Sequence, residues 1–213
     1  MTTTIFTIGY AGFSVDEFLD ALTFHKVSAV IDVRSIPFSS YNPEYDAPAI
    51  SKTLEARNIC YRSFSREFGA RQQDKKFYNR RGYMDFEEFA RSDQFNEGIN
   101  KILEAMNNNY VIALMCAEKD PINCHRAILV ARAFYKLKKT VIHIKPYGET
   151  ENHKDLELRL LEKYCPEMTR EILFASDWVS EAYRRCNEKI GWRLDENASV
   201  YDWLHQKNSR TIF

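Results

Sequence analysis

The 213-residue chain has no surplus of charge: thirty Lys and Arg are matched by thirty Asp and Glu. No global field therefore draws it toward nucleic acid or anionic lipid, and any such attraction has to be local. It has no run approaching the roughly 18 apolar residues of a membrane span. Residues 1–6 lack both the basic start and the apolar stretch of a secretory signal. Cysteine is sparse and odd in number, five at irregular spacings, which argues against a secreted disulfide framework and fits reduced thiols in a cytoplasm. Glycine is scarce too. The pair Gly9 and Gly12 lacks the spacing and the Lys-Ser/Thr ending of the phosphate-binding loops. Internal repeats and low-complexity tracts are absent. The expectation is a soluble, cytoplasmic protein with no membrane partner.

What is present is alternation. Apolar runs at residues 5–8, 29–33, 59–61, 110–115 and 140–144 read as strands. Helical patterns lie between them. The first opens at Ser14 with a capping box completed by Glu17 and runs to about Phe24; others cover 49–57, 86–90, 95–106 and 124–137. Five strands separated by helices predict an α/β fold: a mostly parallel five-stranded sheet, helices on both faces, right-handed crossovers. From residue 152 onward the pattern is helical only, and Trp178, Trp192 and Trp203 would be costly to expose. The predicted organisation is an α/β domain over 1–150 and a helical C-terminal extension over 151–213 packed on the core or on a partner. No pattern fixes the oligomeric state.

Reactive side chains crowd one strand-to-helix turn. Between Cys116 and Arg126 stand Glu118, Asp120, Pro121, Asn123, Cys124 and His125, where open parallel sheets bind ligands, outside the carboxyl ends of their strands. Asp120 can cap the helix and Pro121 suits its first position. Free N–H groups of the first turn, with the Arg126 guanidinium, would then suit an oxyanion such as phosphate. A thiol in that field ionises more easily than a free cysteine, so Cys124, with Cys116, is a candidate nucleophile. Glu118 and His125 are the candidate proton-transfer groups. Asp32, Arg34 and Ser35 end the second strand, and Tyr10 follows the first. If those strands flank the fourth, Asp32, Arg34, Arg126, Tyr10 and Ser35 line one anion-binding crevice. The structural alternatives are a buried Asp32–Arg34 pair, small core cysteines, an Arg126–Glu118 pair and a core His143. Cys116, Cys124 and His125 are soft ligands, yet their spacing of eight and then one matches no common zinc pattern and no fourth ligand is evident. Neither a metal nor another cofactor is expected.

Residues 62–81 hold Arg62, Arg66, Arg71, Lys75, Lys76, Arg80 and Arg81 against Glu67 and Asp74, interleaved with Phe64, Phe68, Phe77 and Tyr78, with Tyr83 just beyond. Basic groups for phosphates and aromatic faces for bases make this loop a candidate contact surface for nucleic acid or a phosphate-bearing small molecule. The alternative is a solvated loop whose aromatics pin it to the core.

Taken in order, Thr7-Ile8-Gly9-Tyr10, the Asp32-Val33-Arg34-Ser35-Ile36-Pro37 stretch, Ile59-Cys60-Tyr61, Cys116-Ala117-Glu118 through Cys124-His125-Arg126, and Val141-Ile142-His143-Ile144 resemble the bacterial domain-of-unknown-function family numbered 488, over about residues 5–145. The resemblance implies an α/β domain whose signature is Asp32, Arg34, Cys116, Glu118, Cys124, His125 and Arg126. It brings no assigned activity. Where members commonly show Leu-Gly-Gly, this chain has Phe68-Gly69-Ala70. A fainter likeness to rhodanese-type sulfurtransferases is analogy only, because Arg126 stands ten positions past Cys116 instead of closing a compact cysteine loop.

Three readings follow. The first is an enzyme acting on a phosphate-bearing substrate, a nucleotide or nucleic acid, in a crevice at the carboxyl ends of the strands. The second is a cysteine-dependent sulfur or acyl transferase on a small anion. The third is a nucleic-acid or protein binding module without turnover.

Overall fold

A computed structural model describes residues 4–39, 41–167 and 176–194. The chain runs β1 (Thr4–Gly9), α1 (Val15–Phe24), β2 (Ala29–Asp32), α2 (Ala47–Glu55), β3 (Cys60–Ser63), α3 (Ser65–Phe68), α4 (Phe86–Ala90), α5 (Asp93–Asn107), β4 (Ile112–Cys116), α6 (Arg132–Lys136), β5 (Thr140–Ile144), β6 (Thr150–Asn152), α7 (His153–Tyr164) and α8 (Ser176–Ile190). The strands form one sheet in the order β3-β2-β4-β1-β5-β6, parallel except at its last edge. The five expected strands are all present. The sixth, β6, pairs antiparallel with β5 and consists of Thr150, Glu151 and Asn152, with no apolar residue to signal it.

Period-two alternation sends neighbouring strand residues to opposite faces. Ile8, Val30, Ala113 and Met115 pack against Phe18 and Leu22 of α1 and Ile50 and Leu54 of α2. Ile5, Ile31 and Leu114 face the other way, onto Phe95, Ile99 and Ile102 of α5. The capping box at Ser14 is formed: its hydroxyl accepts from the Glu17 N–H, and the Glu17 carboxylate accepts from the Ser14 N–H. The predicted helix at 124–137 is instead a composite. A 3-10 turn at Pro121–Asn123 leads into a wide π-turn at Arg126–Ala131, and regular α-helix begins only at Arg132.

The C-terminal helices pack on the sheet's own core: Leu156, Leu160 and Leu161 of α7 and Ala182, Tyr183 and Cys186 of α8 join the buried cluster around α5. A hydrogen-bond chain also ties them in. Arg126 Nε lies 3.4 Å from Thr7 Oγ1, which lies 2.8 Å from His143 Nδ1; His143 Nε2 lies 3.0 Å from His153 Nδ1, and His153 Nε2 lies 2.9 Å from the Tyr183 hydroxyl, which donates to Glu157. Arginine at one end can only donate and carboxylate at the other can only accept, so the ends orient every member. Both histidines are then neutral, with the proton on Nε2. His143 is thus a satisfied core histidine. The Tyr201 and Trp203 part of the expected extension lies outside the described residues. Among the described residues no helix is long and apolar enough to cross a membrane.

Candidate active site

The strand order fixes where the site can lie. Leaving β1, the chain skips a position to make β2, moves outward to β3, then returns to insert β4 between β2 and β1. The carboxyl ends of β1, β4 and β2 are therefore adjacent, with Gly9 beside Cys116 and Asp32 beside Met115. The backbone stays zipped past the strands: Tyr10 N–H donates to Cys116 O, Ala11 N–H to Ala117 O, and Val33 N–H to Met115 O. Above these ends opens a cleft of about 330 Å³ whose walls include Tyr10, Arg34, Ser35, Cys116, Glu118 and His125. Chain positions some ninety apart thus line one cleft.

Asp32 is wholly buried and grips Arg34 through both oxygens; Nε lies 2.9 and 3.0 Å from Oδ1 and Oδ2, and Nη2 also donates to Tyr45 O at 2.8 Å. Tyr61 donates its hydroxyl to the same carboxylate at 2.7 Å. Burial, then the charge and hydrogen bond of Asp32, push the Tyr61 phenol upward. Asp32 is consequently a positioning group with no surface left for an anion. Arg34 Nη1 is different: it is buried and, among the described residues, has no hydrogen-bond partner. Tyr10 stacks on Tyr45 with centroids 4.3 Å apart, and the Arg34 guanidinium carbon lies 5.3 Å from its ring. Ser35 Oγ accepts from Arg71 N–H at 2.9 Å, drawing Arg71 to the cleft, where its guanidinium lies over Trp192 at 3.7 Å.

Opposite stands the thiol–imidazole–carboxylate group. Cys124 Sγ and Cys116 Sγ lie 2.8 and 3.1 Å from the same Glu118 oxygen, and His125 Nδ1 is 3.9 Å from Cys116 Sγ. His125 Nε2 is 2.8 Å from Val33 O, an atom that can only accept, so the ring proton sits on Nε2 and Nδ1 faces the sulfurs. Burial opposes charge on either thiol, but the Cys116 hydrogen bond, Arg126 and His125 outweigh it at Cys124, which is held well below an ordinary thiol. Cys116 goes the other way, pushed well up by burial and by Cys124. Burial and the Cys124 charge also raise Glu118, while at His125 the Cys124 bond overcomes burial and raises the imidazole. The acidic thiol agrees in direction with the sequence expectation, but Cys124 is only 1 % exposed and sits behind Glu118.

Two expectations need correcting. Arg126 does not line the cleft: it is fully buried, donating from Nη1 to Glu118 O at 2.5 Å and from Nη2 to Lys119 O at 3.3 Å. It staples the loop from behind, and Gly9 is needed beside it because a Cβ there would come within 1.8 Å of Glu118 O. The turn also offers no ring of free N–H groups. Asp120 does cap it, accepting from Ile122 N–H, but the N–H groups of Asn123, Cys124, Ala127 and Ile128 are all bonded within it. The aromatics of the basic loop likewise face inward: Phe68, Phe77 and Tyr83 are buried and Phe64 and Tyr78 pack on the core, because that burial is what holds a long loop down. Of its cations, Arg66, Lys76 and Arg81 pair with Glu97, Asp74 and Glu188, and Arg71 reaches the cleft.

Sequence reasoning missed Trp192 and Arg159. Trp192 lines the cleft from beyond α8, and Arg159 of α7 forks onto Asp120 at 2.8 and 3.2 Å, buttressing the site turn. Only the tryptophan richness of the C-terminal segment hinted at either. A family model described as domain of unknown function DUF488 matches residues 14–133. The chain belongs to this family. The match spans β2, β3, β4 and the whole Cys116–Arg126 segment of the DUF488 domain, while β1 and β5, which the sequence resemblance included, lie outside it. Comparisons with curated proteins and with solved structures returned no match.

Proposed function

We propose that this DUF488 protein is an enzyme acting on a small phosphate-bearing molecule of nucleotide size. The observation that carries the reading is Arg34 Nη1, a buried cationic donor with no partner among the described residues, on the wall of an open cleft. A buried donor left unpaired costs about 1–3 kcal/mol, more when charged, so an oxyanion placed there gains a bond the protein does not make for itself. Arg71 offers a second cation on the same cleft, and Phe38, Tyr41 and Trp192 offer aromatic faces toward its mouth. The volume falls in the ordinary range for a small-molecule site. Cys116, Glu118 and His125 on the cleft wall, with Cys124 buried beside them, supply the reactive groups. The inward-facing aromatics favour a small ligand over a polynucleotide.

The test is thermal stabilisation by inorganic phosphate and by adenosine monophosphate. At ten times the dissociation constant, binding adds about 1.4 kcal/mol, which for a chain of this size raises Tm by roughly 3–6 °C. Arg71→Ala should reduce the shift. No shift in the wild type at tens of millimolar of either anion would overturn the reading.

A further inference from the structure

The four side chains at the foot of the cleft have a geometry that neither an acid–base pair nor a nucleophile requires. One donor atom each from Cys116, Cys124 and His125 lie within 4.8 Å of one another. The Glu118 oxygen touches both sulfurs but stands outside that three-residue group, on the side of the sulfurs, so it completes the set only by turning toward the imidazole. We propose that Cys116, Cys124, His125 and Glu118 together bind one thiophilic divalent cation of the zinc type.

Zinc takes thiolate sulfur at about 2.3 Å and nitrogen or oxygen at about 2.0–2.2 Å, usually in a tetrahedron, whose edges are then about 3.3–3.8 Å. The His125 Nδ1 to Cys116 Sγ separation of 3.9 Å is close to such an edge. The sulfur to Glu118 oxygen distances, 3.1 and 2.8 Å, are shorter than a tetrahedral sulfur–oxygen edge of about 3.6 Å, so the carboxylate must rotate outward by roughly 0.5–0.8 Å to take its place on the cation. The imidazole is oriented as a metal-bound one usually is: its far nitrogen donates to a backbone carbonyl, Val33 O, leaving the near lone pair aimed at the group. Two sulfurs, one imidazole and one carboxylate are a donor set suited to zinc and poorly suited to magnesium or calcium.

Charge gives an independent argument. Arg126 is fully buried, its donors go to backbone carbonyls and the Thr7 hydroxyl, and among the described residues it pairs with no carboxylate. Burying a guanidinium without a carboxylate partner is expensive. Two thiolates and a carboxylate around a dication carry a net charge of one minus, which lies beside Arg126 and balances it. On binding, the two protons the group holds, one on Cys116 Sγ and one shared between Cys124 Sγ and Glu118 Oε2, pass to solvent; two metal–sulfur bonds form, His125 contributes its Nδ1 lone pair and Glu118 one oxygen. No electron changes hands. Glu118 is the one exposed residue of the four, so it is the one that can give way to a water or a phosphate oxygen from the cleft. The sequence expectation of no metal rested on a spacing that matches no common zinc pattern and on a missing fourth ligand; Glu118, two residues past Cys116, is the fourth ligand of the proposed site.

The proposal stands apart from the anion reading, since it is tested with no phosphate present. Reduced, metal-free protein is titrated with cobalt(II) as a spectroscopic stand-in and with zinc. The expected result is one equivalent of cobalt bound with a thiolate-to-metal charge-transfer band and intense tetrahedral visible bands, about two protons released per cation, and displacement by zinc. Cys116→Ser together with Cys124→Ser should abolish the charge-transfer band, and Glu118→Gln should keep it while weakening affinity about tenfold or more. A folded, reduced wild type that gives no such band, or a double variant that keeps it unchanged, would overturn the proposal. If the double variant does not fold, the wild-type band and proton count decide alone.

Discussion

Asp32 and Arg34, two positions apart at the end of β2, close a fork in which both carboxylate oxygens lie within 3.0 Å of Arg34 Nε, so that the rest of the guanidinium is aimed away from the pair. That orientation leaves Nη1 buried and without a partner among the described residues, on a side chain that lines the cleft. Asp32→Asn removes one charge of a buried pair and should cost about 3–5 kcal/mol of unfolding free energy. Urea denaturation measures it. A loss below 1 kcal/mol would mean that the pair is not sealed as described.

Gly9 is the point of closest approach between β1 and the loop carrying Glu118. Gly9→Ala places a methyl 1.8 Å from Glu118 O and 2.8 Å from Arg126 Nη1, so loop and staple must both move. The expected cost is about 3 kcal/mol or more. The same change at Gly82, where a Cβ meets nothing within 4 Å but φ is +77°, isolates backbone strain and should cost less, about 1 kcal/mol. Equal losses at the two positions in parallel denaturation curves would refute the packing argument.

The histidine chain makes stability fall with acid. Burial holds His143 well below its ordinary value, and burial with the nearby Arg132 holds His153 at about 3. Both folded values lie below the unfolded one near 6.5, so the unfolded chain takes up the protons first. Their contribution is whole above pH 6.5 and is lost as pH falls toward 3, at about 1.4 kcal/mol per pH unit for each histidine. His153→Gln should remove one proton's worth of slope between pH 6 and 4.5. An unchanged slope would show that His153 titrates freely in the folded protein.

Arg71 over Trp192 gives the cleft a built-in reporter. An anion drawn to Arg71 perturbs the cation–π contact, so phosphate should change Trp192 emission with the same midpoint as the thermal shift. Trp192→Phe should abolish the optical change and weaken binding by about 0.5–2 kcal/mol. Fluorescence indifferent to saturating phosphate would place the anion elsewhere.

The sheet was readable because its central strands β2 and β4 are buried and apolar on both faces, as parallel strands covered by helices must be, and β1, β3 and β5 each keep a short apolar run; β6 was not, because an edge of Thr150, Glu151 and Asn152 carries no hydrophobic signal. The crowding of Cys116, Glu118, Cys124 and His125 marked a candidate site in the sequence, and the structure brings these four side chains together beside the cleft. Their roles were less legible. Whether a guanidinium lines a cleft or meets backbone carbonyls depends on side-chain direction, and Arg34 and Arg126 look alike in sequence yet the first lines the cleft and the second is sealed against Glu118 O and Lys119 O. Aromatic spacing in the 62–83 stretch was equally silent about which way the rings turn. Arg159 and Trp192 come from helical and tail segments distant in the chain, and only the packing of α7 and α8 brings them to the turn.

The wide turn between Arg126 and Ala131 acts as a phase shifter. A regular helix advances about 100° per residue, so the extra residue held in this coil rotates everything preceding it by that angle relative to α6. Excising one residue from 127–131 would let the helix run straight, leave α6 seated where it is, and swing the imidazole and the buried guanidinium off their partners in a single stroke. The local irregularity, rather than the composition of the segment, is what gives His125 and Arg126 their addresses.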